Sequence, residues 1–170
     1  MAAGSFTGNT SLAAELSVSV GAPFEVSKGK ARRDYDTVLD IRSKTGEPPA
    51  NPEKNPLCTV GFKAAEANEG LTQDEINAFI VTPDWREMVA GTLGLFFDID
   101  KDGSFDAGKI KGGEFLLRPK AGPGHENARV FMSIAETPRG RTTLVCATTA
   151  AAFDKAIPAF RKIRAGVAIP

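Results

Sequence analysis

The chain has 170 residues, 42% of them hydrophobic and 25% charged, which is enough to bury a core and is close to the usual size of one domain. Its 21 basic and 21 acidic side chains cancel, and neither half holds a run of five or more like charges, so a phosphate-tracking nucleic-acid surface is not expected. The longest apolar runs, such as 93–97, fall far short of the ~20 residues that cross a bilayer, so no membrane span is expected either.

The amino terminus, "MAAGSFTGNTSLAAELSVSV", has no basic n-region and no continuous apolar h-region. The expectation is therefore a cytoplasmic protein, or an exported one whose signal has been removed. Small polar residues predict a flexible tail over 1–12, with a single domain over 13–170. "ELSVSV" then alternates Leu16, Val18 and Val20 with polar partners, the period of a half-buried strand, and Gly21-Ala22-Pro23 ends it. "YDTVLDI" predicts a second strand. Pro48, Pro49, Pro52 and Pro56 exclude a helix or a central strand around them, because proline lacks the donor that both require. Strand-like sequence resumes at once with "LCTVGFKAA", so the proline-rich stretch reads as an exposed loop rather than a domain linker.

Two helices follow. "LTQDEINAFIV" carries a capping box, in which Thr72 and Glu75 satisfy each other's amides, with Leu71, Ile76, Phe79 and Ile80 as the apolar side. "TPDWREMVAGTL" has Thr82 as N-cap, Pro83 at the first helical position and Asp84 where the helix dipole favours an acid. Its Trp85, Met88, Val89 and Thr92 recur at helical spacing and read as core rather than as a cofactor contact. From Leu93 the pattern becomes strands and short turns: "LGLFFDI", "GGEFLLRP", "ARVFMSIAE" and "RTTLVCATT", the last two joined by "TPRGR". A final helix places Phe153, Ala156, Ile157, Phe160 and Ile163 on one side, with Pro158 inside it and Gly166 ending it. The class implied is α+β, an antiparallel β-sheet meander covered by helices.

One segment, "FFDIDKDGSFDAGK", has two readings. As a calcium loop, Asp98, Asp100 and Asp102 take positions 1, 3 and 5, Gly103 makes the turn, Ser104 offers its carbonyl and Asp106 stands at position 9. Lys109 occupies position 12, where a bidentate glutamate is needed, so any Ca²⁺ affinity belongs to the weak, roughly millimolar class. As a hairpin, the same letters give strands "LGLFFDI" and "SFDAGKIK" joined by a type I′ turn at Asp102-Gly103. The hairpin needs fewer exceptions. Nothing else assembles chemistry. His125 lies in the loop "AGPGHENA" without a sequence partner, no GxSxG or cysteine-centred signature is present, and "GKIKGGEF" lacks phosphate-loop spacing. The expectation is a non-enzyme with no cofactor beyond a weak Ca²⁺.

The end of the chain resembles a known family. The hairpin with "RGR", then "TTLVCATT", then "AFDKAIPAFRKIRAGVAIP", with Phe153, Pro158 and Phe160 at the marked helix positions, is similar to the carboxy-terminal part of the PsbP/Mog1/LpqN-like family. The likeness covers about the last 40 residues and the element order from residue 57 onward. It implies a helix-covered sandwich, often exported to the periplasm or secreted, acting as an accessory or binding module with a protein partner. The alternative is a cation- or small-molecule-binding protein that uses the 98–106 aspartates. Cys58 and Cys146, both in strand-like contexts, are either buried thiols or a bridge, and presumed export favours the bridge.

Overall fold

The computed structural model describes residues 15–170, so the tail expected over 1–12 lies outside the described residues. The elements run β1 (Ser17–Val18), β2 (Phe24–Lys28), β3 (Thr37–Ser43), β4 (Cys58–Ala64), α1 (Gln73–Ile80), α2 (Pro83–Leu93), β5 (Phe97–Ala107), β6 (Ile110–Pro119), β7 (Ala128–Thr137), β8 (Gly140–Thr149), α3 (Phe153–Ala165) and β9 (Val167–Ala168). Seven strands form one antiparallel sheet in the order β2-β3-β4-β8-β7-β6-β5, and β1 pairs separately with β9. The meander β5 to β8 is as expected, and the earlier β4 joins it by lying beside β8. This is an α+β fold whose sheet carries helices on both faces.

Period-two alternation divides the sheet residues between two apolar layers. Along β7, Val130, Met132 and Ile134 pack with Ile76 and Ile80 of α1 and Trp85, Val89 and Leu93 of α2. Phe131, one residue out of phase, joins Cys58, Val60 and Cys146 beneath Phe153, Phe160 and Ile163 of α3. The Phe131 and Phe160 rings lie 5.7 Å apart, and α3 is further tied down where Arg161 and Arg164 meet Glu114 of β6.

Several local expectations need correction. The strand from "ELSVSV" reduces to Ser17–Val18, and a further strand, β2, begins at Phe24, immediately after the expected break at Gly21-Ala22-Pro23. Residues 93–96 are not strand: Leu93 ends α2 and β5 begins at Phe97. The β5–β6 hairpin does not turn at Asp102-Gly103, which are paired with Phe115 and Glu114 inside the ladder. It turns at Gly108-Lys109, between the paired Ala107 and Ile110, and Gly108 has φ +60° while no described non-glycine residue has positive φ. Glycine at the first turn position with a negative φ at the second is the type II′ pattern. The "TPRGR" turn is also tighter than read, since Thr137 already pairs with Gly140. In α1 only Ile76 and Ile80 are buried, and in α2 Trp85, Val89 and Leu93 are buried while Met88 faces out.

Candidate functional site

The five aspartate-segment residues sit on β5, an edge strand. A register shift between Ile99 and Lys101 leaves Asp100 as the extra residue of a bulge. One added residue moves every later side chain to the opposite face. Asp98, paired with Arg118, therefore lies on the α3 side, whereas Asp102, paired with Phe115, and Asp106, paired with Lys111, lie on the α2 side. Ser104, opposite Gly113, shares that second side.

Each carboxylate also has its own cation. Asp98 stands 3.8 Å from Lys120 Nζ, and Asp100 accepts from Arg118 Nε at 2.7 and 2.9 Å. Asp102 accepts from Arg86 at 3.1 Å and Asp106 from Lys111 at 2.9 Å. Hydrogen bonding to Asp100, and its charge, raise the Arg118 pKa. The structure thus brings Asp98 and Asp100 to one face and Asp102, Ser104 and Asp106 to the other. Among the described residues no group of three or more His, Cys, Asp or Glu side chains is arranged to hold a metal ion. His125 opens a single turn of 3₁₀ helix, its Nδ1 3.0 Å from the Gly122 carbonyl oxygen.

The two cysteines do meet. Cys58 and Cys146 are directly opposed in β4 and β8 and form a disulfide in the α3-side layer.

A second feature lies around α1 and α2. The capping box forms as expected: Thr72 Oγ1 accepts from the Glu75 amide at 3.3 Å, and Glu75 accepts from the Thr72 amide at 2.8 Å. The Thr72 amide, and then its hydroxyl, donate to the Glu75 carboxylate and hold it below the usual glutamate range. The helices then bury Ile76, Ile80, Trp85, Val89 and Leu93, which leaves other apolar side chains outside. All six large exposed hydrophobics among the described residues fall between positions 71 and 96, and Leu95 and Phe96 are the most open, at 72% and 65%. Met88, on α2, is 49% exposed as well. The sequence showed these residues but assigned Leu95 and Phe96 to a strand and Met88 to the core. What it could not show is which side of α2 rests on the sheet.

No family model matches the chain, and no curated protein does. Among solved structures it is similar to cyanobacterial PsbP (CyanoP) from Synechocystis sp. PCC 6803, with a TM-score of 0.55 and 10% identity over 91% of this chain and 86% of that one. It also overlaps PA94 of Pseudomonas aeruginosa, a protein of unknown function, at a TM-score of 0.47 and 9% identity over 86% of this chain and 82% of that one. No helix among the described residues is long and apolar enough to cross a membrane. The antiparallel sheet with helices on both faces, together with the CyanoP likeness, gives the chain a PsbP-like fold.

Proposed function

We propose that the chain is a non-catalytic, exported accessory module that binds a protein partner through the apolar surface at α2 and the turn after it. The observation that carries this reading is the pair Leu95 and Phe96, adjacent and largely exposed, with Met88 also exposed on α2. Single exposed apolar residues are ordinary, but a grouped set is costly to leave in water and marks an interaction surface. The PsbP-like fold supports the same class, because the resemblance in the final hairpin and helix implies accessory and binding roles. The Cys58–Cys146 bridge supports export, since disulfides persist in oxidising compartments.

The test is a comparative capture from native host extract, using the wild type and a Met88→Ser/Leu95→Ser/Phe96→Ser variant. The reading predicts a discrete protein retained by the wild type and lost by the variant at unchanged thermal stability. Equal retention by both, or exchange of the protein for lipid vesicles as the only ligand, would defeat it.

A further inference from the structure

On the face that carries α1 and α2, the side chains buried beneath those helices come from β6 and β7, with β5 beside them, and Val145 and Ala147 of β8 are partly buried at the edge of that layer. One cross-strand row on this face runs Asp40, Thr59, Val145, Met132, Phe115, Asp102. Met132 and Phe115 are buried under the helices, whereas Asp40, Thr59 and Val145 line an uncovered cleft of about 530 Å³. That volume suits a small organic molecule.

The cleft has a charge that the chain as a whole lacks. Lys30 and Arg32 come from the β2–β3 connection, Arg42 from β3 and Lys54 from the proline-rich loop, so four cations meet the one carboxylate of Asp40. Asp40 is already engaged, accepting from Thr59 Oγ1 at 3.1 Å. Several cations outside the cleft are matched: Lys63 with Asp36, Arg86 of α2 with Asp102, Arg118 with Asp100, Arg141 with Glu136. Among the described residues none of the four cleft cations is in an ion pair; Arg42 donates only to the Lys54 carbonyl, at 3.3 Å.

Both walls are pinned without a ligand. Thr148 Oγ1 donates to the Pro49 carbonyl at 2.6 Å and the Asn51 amide to Ala147 at 3.2 Å, which fixes the proline-rich loop to β8. The Gly29 amide donates to Val38 at 2.9 Å and the Asp36 amide to Phe62 at 2.8 Å, which fixes the other wall. A pre-formed site avoids the ordering cost of binding.

We propose that this cleft binds a small organic dianion, a phosphomonoester or a dicarboxylate. Its charged groups meet Arg32, Arg42 and Lys54, for which charge-assisted hydrogen bonds are the strong contacts, and its carbon body lies on Val145 and Ala147. The test is a titration of isotope-labelled protein, followed by amide resonances, with phenyl phosphate, phthalate and uncharged benzyl alcohol. The proposal predicts saturable shifts at Thr59 and Val145 with one or both dianions, weakening as salt is added, and none with benzyl alcohol. A response to phenyl phosphate alone assigns an organophosphate, and one to phthalate alone a dicarboxylate. Arg32→Gln/Lys54→Gln, which changes two exposed side chains outside any ion pair, should weaken binding by about tenfold or more. No shift with either dianion at millimolar concentration, or unchanged affinity in the double variant, would overturn it.

Discussion

A Cβ at Gly113 would lie 2.7 Å from the Trp85 ring, and one at Gly112 would lie 2.4 Å from the Phe105 ring. The glycine pair thus lets one aromatic ring press on each face of β6, a role that "KGGEF" does not announce because both rings arrive from other elements. Gly113→Ala should displace Trp85 and destabilise the fold by roughly 1–3 kcal/mol in urea unfolding. Gly91→Ala, at an exposed helical position with nothing within 4 Å, should instead be neutral or stabilising. Glu114, next in sequence, is pulled two ways: burial raises its pKa, but hydrogen bonds and charge from Arg161 and Arg164 outweigh that and leave it below the usual glutamate range. Its lowered folded value means the stabilisation is complete above about pH 4.3, the ordinary glutamate value, and is lost as pH falls through the lowered one. Glu114→Gln should cost about 2 kcal/mol at neutral pH, and melting curves of the two proteins should converge in acid. A gap that stays constant with pH would show that the charge is not responsible. The aspartate spacing was visible in the sequence, but the bulge at Asp100 that splits the carboxylates between two faces was not. With each acid already beside a cation, calorimetry should detect no Ca²⁺ binding heat at millimolar ion, and heat abolished by Asp100→Ala/Asp102→Ala would refute that expectation.

At the scale of elements, legibility followed locality. The two N-caps, the turn-separated strands β7 and β8 and the apolar side of α3 depend on residues close in sequence, and each forms where the pattern places it. β2 escaped because its edge position leaves only Phe24 and Val26 partly buried, a weak alternation. In α2 the pattern offered Met88 and Thr92 beside Trp85 and Val89 as core positions, and the way the helix lies on the sheet buries Leu93 and leaves those two exposed. The disulfide joins elements 88 residues apart, so neither strand context could establish it. In the chain-entropy account a bridge of that span stabilises by roughly 4 kcal/mol. Urea unfolding with and without reductant should show a loss of that order, and an unchanged midpoint with both thiols free would contradict it.

For the whole molecule, the decisive step is the placement of β4 against β8, which widens the meander into a seven-stranded sheet. Helices α1 and α2 are too short to cover that width, so one face divides into a covered half and an open half. The covered half ends in the exposed Met88, Leu95 and Phe96, and the open half forms the basic cleft. Neither surface could be read from the sequence, because the first depends on which side of α2 is buried and the second on loops joined only by the sheet. Contact between the α2 surface and a protein can be trapped by a photoreactive side chain placed at Phe96 in the native host. A discrete protein adduct should form from position 96 and none from Asp154, exposed on α3 across the sheet. No adduct from position 96, or the same adduct from both positions, would contradict it.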